Sequence, residues 1–133
     1  MLEIKPIQSK EIQKSLCALS SAEYQDDAFA YSAYDGEIFL GISQFFIEDG
    51  YAKIVNLSYA DGTSDFEAMF IMGRAVLNFL DLCHVKTVRI DKDAADARLI
   101  RAIGFSESEN GEYAPLSLTG MFEAKCSDHH KTN

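Results

Sequence analysis

The strongest pattern of apolar and polar positions lies in residues 51–82, where a strand pattern gives way to a helix pattern. Up to Tyr59 the segment is rich in β-branched, aliphatic and aromatic residues, which favour strands. Residues 60–65 are small or polar and interrupt the pattern with a turn. Apolar residues then recur at helical spacing and predict a long amphipathic helix with this stripe: Phe66, Met69, Phe70, Gly73, Val76, Leu77 and Leu80.

The start and the stripe of this helix carry more specific expectations. Ser64 followed three residues later by Glu67 has the form of a capping box, so Ser64 is predicted to cap the helix. Gly73 is a poor helix former, and its place in the apolar stripe indicates close packing against a sheet. The stripe residues that we expect to be almost fully buried are Phe70, Leu77 and Leu80.

The first part of the chain predicts a strand and a helix. Residues 2–7 alternate apolar and polar, and Pro6 is typical of a sheet edge or a strand end. Ser9 is predicted to cap a helix that ends near Leu19. Residues 20–27 are polar and acidic, which favours a loop. The predicted buried face of this helix consists of Ile12, Leu16 and Leu19.

An antiparallel meander is predicted next, because two dipeptides in this region are strong hairpin signals. These are Asp35-Gly36 and Asp49-Gly50. The alternation of apolar residues shifts near Gln44 or Phe45, which predicts a β-bulge. The three strands of the meander cover residues 29–34, 37–48 and 51–59.

After the long helix, a strand is predicted over residues 86–91 and a second amphipathic helix over residues 94–103. Gly104 is expected to end that helix with a positive φ angle. Asn110-Gly111 predicts a further hairpin, and residues 126–133 are expected to form a frayed tail. The strands of that hairpin are residues 105–109 and 112–118.

The predicted element order is β-α-β-β-β-α-β-α-β-β. The strands at residues 51–59 and 86–91 are separated by a long helix and are therefore expected to be parallel neighbours. This order predicts a central mixed sheet with helices on both faces, that is, an α/β (α+β mixed) fold. The length predicts a single domain over residues 1–125.

Apolar run length, the N-terminal sequence and the cysteines predict the cellular location of the protein. No run of about 20 apolar residues is present, so no membrane-spanning helix is expected. The N-terminus lacks a basic-then-apolar signal pattern, which predicts a cytoplasmic location. Cys17, Cys83 and Cys126 are odd in number and form no CxxC pair, so they are interpreted as reduced thiols and not as a zinc site or a disulfide framework.

The formal net charge of −9 excludes nucleic acid and anionic membranes as the main partners. It also disfavours any phosphate-rich ligand unless local positive charge or backbone N–H groups compensate. Oligomeric state is not indicated by the sequence.

The element order and two stretches of sequence resemble the GNAT superfamily of acyl-CoA-dependent N-acyltransferases. DGEIFLGISQFFIEDGYAKIVNLSY matches the central meander of that family, and ADARLIRAIGF precedes the last hairpin. The resemblance covers about residues 1–122. It implies a GNAT-like sheet, acetyl-CoA or CoA as the cofactor, and a small-molecule amine as the acyl acceptor.

The resemblance also assigns a cofactor site to the end of the central strand and the turn before the long helix. In that family, backbone N–H groups of this turn hold the CoA pyrophosphate at the N-terminus of the helix. The cofactor-binding residues implied for this chain are Leu57, Tyr59, Gly62, Thr63 and Ser64.

Several positions depart from the family pattern. The turn lacks the Arg/Gln-x-x-Gly-x-Gly/Ala motif, and Asp65 and Glu67 stand about where its two small residues belong. Their carboxylates repel a pyrophosphate, although acids at this position also stabilise the helix itself. In the late segment Ile100 takes the place of a frequent tyrosine acid, while Asp93 and Asp96 replace an asparagine and an alanine. The cofactor loop is therefore interpreted as degenerate, and no catalytic residue is assigned.

Other reactive side chains are candidates for substrate contact or proton transfer, although packing, capping or solvated turns explain such positions more often. Cys83 and His84 are adjacent at a helix end and point apart. His129 and His130 lie in the predicted tail and make no metal site. The remaining candidates are Glu48, Asp49, Ser58, Tyr59, Asp91 and Tyr113.

Two functions stay open on these grounds. The first is an N-acyltransferase with a degenerate cofactor loop, in which a carboxylate or water takes the proton of the attacking amine. The second is a non-catalytic domain of the same fold that binds a small ligand or another protein. An unrelated α+β domain is a third alternative.

Overall fold

The computed structural model describes residues 1–122, so the predicted tail at residues 126–133 lies outside the described residues. The order of elements follows the predicted order up to the last hairpin. The elements are β1 (Leu2–Pro6), α1 (Lys10–Ala18), β2 (Phe29–Asp35), β3 (Ile38–Glu48), β4 (Tyr51–Tyr59), α2 (Phe66–Leu82), β5 (Thr87–Ile90), α3 (Ala97–Ile103) and β6 (Leu116–Ser117).

All six strands form one sheet in the order β1-β2-β3-β4-β5-β6. Neighbouring strands are antiparallel except β4 and β5, which are parallel as predicted. Pro6 is the last residue of β1, which is an edge strand, so its missing N–H removes no hydrogen bond from the sheet. Gly36 and Gly50 have φ angles of 61° and 78°, as the tight hairpins on either side of β3 require.

Helices cover both faces of the sheet, which confirms the predicted mixed α/β architecture. The larger core lies between the sheet and the pair α2 and α3, and it contains Phe45, Ile54 and Leu77. A smaller cluster on the opposite face packs α1 against Ala30 and Ile42. Within residues 1–122, no helix combines the length and the apolar character needed to cross a lipid bilayer.

The buried face of α1 differs from the predicted one. Ser9 does cap the helix, since its Oγ accepts from the Ile12 N–H at 3.3 Å. However, the side chain of Ile12 is 54% exposed and that of Leu19 is 55% exposed. The helix instead buries Gln13, Leu16 and Cys17. A polar Gln13 is tolerated there because its amide is hydrogen-bonded inside the protein.

The apolar stripe of α2 is confirmed at Leu77 and Leu80, which are both fully buried, whereas Phe70 is only half-buried. Gly73 packs closely, but against α3 and not against the sheet. A Cβ at this position would lie 2.5 Å from Cδ1 of Ile103. The contact partner of Gly73 is therefore the second helix on the same face.

The last predicted elements are shorter than expected. Helix α3 begins at Ala97 and not at residue 94, because the Asp96 side chain caps it by accepting from the Leu99 N–H at 2.8 Å. The predicted hairpin is reduced to a single bridge between Glu107 and Tyr113 and to the two-residue β6, which pairs with β5. Its turn does form where predicted, with positive φ angles at Asn110 and Gly111.

The burial of Leu77 predicts a large loss of stability on truncation. Leu77→Ala should lower the free energy of unfolding by about 2–5 kcal/mol, because it leaves a cavity in the main core. Chemical denaturation measures this change. Asn78→Ala is the matched control, since Asn78 is exposed on the same helix and its loss should cost less than about 0.5 kcal/mol. Equal effects of the two variants would contradict the assigned helix face.

Candidate functional site

The site is built around the point where β4 and β5 stop pairing. Their parallel ladder ends at Ile54 opposite Ile90, followed by one bond from the Asp91 N–H to the Ile54 carbonyl at 3.2 Å. Strand β4 continues to Tyr59. Its far end therefore has β3 on one edge and no strand on the other.

A β-bulge lies at the same point. The β3–β4 register changes between Gln44 and Phe45, as predicted, and the additional residue is Val55 on β4. The bulge shifts the alternation of side chains, so Leu57 and Tyr59 pack on the same face as Ile54. The end of β4 thereby keeps its apolar side chains toward α2.

The open edge of β4 carries two of the predicted cofactor residues. The Ala60 N–H donates to Leu40 of β3 at 2.9 Å. Successive N–H groups of a strand point to opposite edges, so those of Tyr59 and Leu57 face away from β3. The Leu57 N–H donates to the Ala94 carbonyl at 2.8 Å, whereas no residue of 1–122 accepts from the Tyr59 N–H.

The turn between β4 and α2 contains the other three predicted residues. It is tied to the end of α1, because the Asp61 N–H donates to the Leu19 carbonyl at 2.8 Å. The Thr63 N–H is also used, since it donates to Ala60 at 2.9 Å. Gly62 has a φ angle of 83°, and the N–H groups of Gly62 and Ser64 meet no acceptor within the described part of the chain.

The head of α2 differs from the predicted capping box. Asp65 and not Ser64 is the N-cap, since its Oδ1 accepts from the Ala68 N–H at 3.0 Å. Glu67 is then the second helical residue, one position too early for the reciprocal bond of a capping box. The N–H groups of Phe66 and Glu67 have no acceptor in residues 1–122. Such orphan donors at a helix start are available to an anion.

Charges of both signs surround these donors. Asp65 and Glu67 line a cavity of about 390 Å³ together with Asp35, which pairs with the N-terminal ammonium of Met1 at 2.7 Å, so carboxylates outnumber cations there. On the other side, the Arg98 guanidinium from α3 lies 4.0 Å above the Phe66 ring, a cation–π contact. Sequence reasoning did not find Arg98, because no local pattern indicates that α3 places it beside the head of α2.

The Tyr59 phenol lies in the same region. Its burial raises its pKa, the Asp96 carboxylate raises it further, and Arg98 acts in the opposite direction. Tyr59 therefore keeps its proton at neutral pH and is present as a neutral phenol, which can donate or accept a hydrogen bond. This position favours an orienting role.

Ser58 belongs to a buried amide network on the opposite face of the sheet. Gln13 of α1 donates to the Gln44 Oε1 at 2.9 Å, and Gln44 donates to the Asn56 Oδ1 at 3.1 Å. Asn56 in turn donates to the Ser58 Oγ at 2.8 Å. This chain fixes α1 to β3 and β4, so Ser58 has a structural function in this network.

A second open cleft of about 620 Å³ lies on the α1 face, beyond the area that α1 covers. It brings together two predicted candidates, Asp91 and Tyr113. Asp91 Oδ1 forms an ion pair with Lys53 Nζ at 3.0 Å, at the point where the β4–β5 ladder ends. Tyr51, Arg89 and Glu112 also line this cleft.

The remaining candidates are not brought together. Glu48 and Asp49 lie at the hairpin that begins β4, the opposite end of the strand from Tyr59. Cys83 caps the C-terminal end of α2 and is exposed. Ile100 is fully buried in the core, so it presents no group to a cleft. His129 and His130 lie outside the described residues.

Comparison with known structures identifies the class of fold. The ribosomal-protein-S18-alanine N-acetyltransferase from Escherichia coli is similar with a TM-score of 0.66 and 11% identity, over 89% of this chain and 96% of that one. The PaiA N-acetyltransferase from Thermoplasma acidophilum, determined with coenzyme A, gives 0.66 and 10%, over 86% and 97%. A GNAT family acetyltransferase from Brucella melitensis, determined with acetyl-CoA, gives 0.66 and 12%, over 89% and 88%.

These neighbours are all acetyltransferases, and the chain has the fold of that class. More specifically, it has the GNAT fold, as the resemblance in its sequence implied. No protein-family model matches the chain, and no curated protein matches it either. At these identities the likeness concerns the fold.

Two tightly packed glycines near this site are expected to differ in how much stability an added methyl group costs. Gly41 is buried opposite Tyr59, and a Cβ there would lie 2.6 Å from the backbone oxygen of Ser58 and overlap the Met69 sulfur. Gly41→Ala should therefore lower the free energy of unfolding by about 1–3 kcal/mol. Gly73→Ala should cost less, because its Cβ meets the flexible tip of Ile103 and alanine favours the helix by about 1 kcal/mol.

Denaturant unfolding of both variants checks this order. Adding Ile103→Val to Gly73→Ala should restore part of any stability that Gly73→Ala loses. Adding Ile103→Val to Gly41→Ala should restore none. A Gly73→Ala variant that is less stable than Gly41→Ala would contradict the packing at the end of β4.

Proposed function

We propose that this protein is an acyl-CoA-dependent N-acyltransferase that transfers an acetyl group to a small-molecule amine. The observation that carries the proposal is a series of backbone N–H groups without acceptors in residues 1–122, along the end of β4 and the head of α2. They belong to Tyr59, Gly62, Ser64, Phe66 and Glu67. A thioester or pyrophosphate oxygen is the kind of acceptor that such donors bind.

The structural neighbours support a CoA-type cofactor. The Thermoplasma acidophilum enzyme was determined with coenzyme A and the Brucella melitensis enzyme with acetyl-CoA. In this chain the pyrophosphate would lie on the N–H groups of Gly62, Ser64 and Phe66. Arg98 would supply the positive charge that the turn itself lacks. The N–H groups of Leu57 and Thr63 already have backbone partners, so they would contribute least.

The acceptor amine would bind in the cleft on the α1 face. Asp91 and Glu112 supply carboxylates for an ammonium group, and Tyr51 and Tyr113 line the same cleft. An amine must lose its proton before it is a nucleophile, and Asp91 is the carboxylate next to the end of the β4–β5 ladder. In this proposal Asp91 Oδ2 accepts that proton, while Lys53 holds the carboxylate in place through its ion pair with Oδ1.

When bound, acetyl-CoA supplies an activated acyl carbon: the amine nitrogen forms a bond to it, and the carbon–sulfur bond breaks with release of the CoA thiolate. The chain provides no side-chain acid for that thiolate at the place of the family's tyrosine, because Ile100 is buried in the core. Solvent would then supply the proton.

A non-catalytic domain of the same fold is the second candidate. One observation favours it: the hydrogen bond from the Leu57 N–H to the Ala94 carbonyl, 2.8 Å long, bridges the gap between β4 and the β5–α3 connection. The two acids at the head of α2 also oppose an anionic cofactor. In that case the free donors would bind a smaller ligand or a peptide.

Replacement of Asp65 and Glu67 by neutral residues distinguishes between the two candidate functions. Asp65→Ser with Glu67→Gln removes both charges while serine can still cap α2. Each exposed charge contributes up to about 1 kcal/mol, so affinity for CoA should rise about fivefold per charge. Isothermal titration calorimetry with CoA and acetyl-CoA measures this change. The matched control is Glu48→Gln with Asp49→Asn, which removes two charges at the opposite end of β4 and should leave affinity unchanged.

Three results are informative in this experiment. Tighter binding in the Asp65/Glu67 variant alone supports the cofactor site. Equal micromolar binding by all proteins would mean that the acids are no obstacle, and the N-acyltransferase would still be favoured. Absence of CoA binding in every protein would favour the non-catalytic domain.

The role of Asp91 makes a separate prediction. Asp91→Asn should lower kcat for acetyl transfer to a primary amine by about 100-fold near neutral pH, because general-base catalysis is lost. The rate should recover as pH rises and the amine loses its proton unaided. Release of the CoA thiol reports turnover, and CoA affinity should not change. Glu48→Gln is the control acid outside the cleft. An unchanged kcat in Asp91→Asn would exclude Asp91 as the base.

A further inference from the structure

A separate cavity of about 360 Å³ lies at the start of β2. It is bounded by the turn after β1, the start of α1 and the start of β2. Phe29 pairs with Phe45 of β3, and Phe45 pairs with Ile54 of β4, so the start of β2 is level with the middle of β4 and not with Tyr59. The cavity shares no lining residue with the end of β4 or with the turn before α2.

Four aromatic rings form the apolar wall of this cavity. Phe45 is fully buried at its base, with Phe29 6.0 Å and Tyr31 5.9 Å away between ring centroids. Phe79 of α2 lies 6.0 Å from Phe45 and 5.7 Å from Tyr31. Phe29 nevertheless remains 52% exposed beside the cavity. A large aromatic surface left partly open in this way indicates a ligand site, since pockets for small molecules are mostly apolar with few polar groups.

A single cation lines the same cavity. Lys10 Nζ donates to the Ala28 carbonyl at 2.6 Å and to the Gln13 Oε1 at 3.3 Å. An ammonium group has three donors, and Lys10 forms no ion pair with any carboxylate of residues 1–122. In a chain of net charge −9, this lysine is held by neutral oxygens at the mouth of an aromatic pocket. Its remaining N–H is available to an anion.

The Tyr31 hydroxyl adds a neutral donor to this wall. It has no hydrogen-bond partner in the described part of the chain, and burial raises the pKa of its phenol. The cavity therefore combines an aromatic wall, one cation and one neutral donor, and no acidic residue among 1–122 lines it.

We infer that this cavity binds a small monocarboxylic acid with an aromatic or branched aliphatic body, with the carboxylate on Lys10 and the body against Phe29 and Phe79. The volume is near the lower limit for ligand pockets, which restricts the body to about one ring. The inference does not depend on the acyltransferase proposal, because the two sites share no residue. It adds a ligand-binding function at the start of β2.

Titration of the full chain with four small molecules tests the inference. The probes are phenylacetate and the branched acid isovalerate; phenethylamine carries the ring with a cation, and acetate carries the carboxylate without an apolar body. In two-dimensional NMR we expect saturable binding of phenylacetate, isovalerate or both, and of neither phenethylamine nor acetate, with shifts of the amides near Phe29 and Lys10. Lys10→Met should weaken this binding about tenfold or more, as loss of a charge-assisted hydrogen bond does. Lys10→Arg should restore most of it.

Two further variants keep the test specific. Phe29→Ala changes an exposed residue and should weaken binding without unfolding the protein, which thermal denaturation checks. Lys5→Met is the control, because Lys5 lies over Tyr34 outside the cavity and has no place in the site. Equal binding of phenethylamine, or full affinity in Lys10→Met, would overturn the inference. So would the absence of saturable binding for both phenylacetate and the branched acid isovalerate.

Discussion

The end of hydrogen bonding between β4 and β5 after Ile54 is the constraint on which the rest of the structure depends. Two parallel strands that stop pairing leave backbone donors and acceptors that must find other partners. Here the Ala94 carbonyl accepts a hydrogen bond from the Leu57 N–H, while the Tyr59 N–H has no acceptor in residues 1–122. The bulge at Val55 makes this possible without loss of the core, because it turns the last apolar side chains of β4 toward α2.

The head of α2 shows how stability and ligand binding oppose each other at one place. Asp65 satisfies one of the orphan N–H groups of the helix and stabilises it, and the same carboxylate raises the electrostatic cost of an anion there. Arg98 compensates from a different helix. Under the proposed function, the affinity of this site for CoA would be a balance of two acids, one cation and several backbone donors.

The sheet also separates regions with different chemistry. The amides of Gln13, Gln44 and Asn56 hold α1 onto one face through hydrogen bonds to one another. Charged and aromatic side chains are instead concentrated at the margins of the helices, in the cleft around Asp91 and in the pocket around Phe29, between the start of α1 and the last part of α2. Coverage by the helices therefore decides which surfaces remain open to small molecules.

Most of the fold could be predicted from the sequence, because periodicity and turn chemistry are local. The strand, turn and helix of residues 51–82 follow from the spacing of apolar residues, and so does the parallel pairing of β4 and β5. The hairpins follow from glycines in tight turns. The tertiary structure decided what depends on partners distant in the chain: that α1 buries Gln13 and not Ile12, and that Gly73 meets Ile103. It also determined which groups are available at the candidate site, where the Ala94 carbonyl accepts from the Leu57 N–H of β4 and Arg98 lies over Phe66 of α2. Backbone carbonyls carry no residue-specific signal, and the direction of a side chain across two helices is set by packing; neither can be read from spacing along the chain.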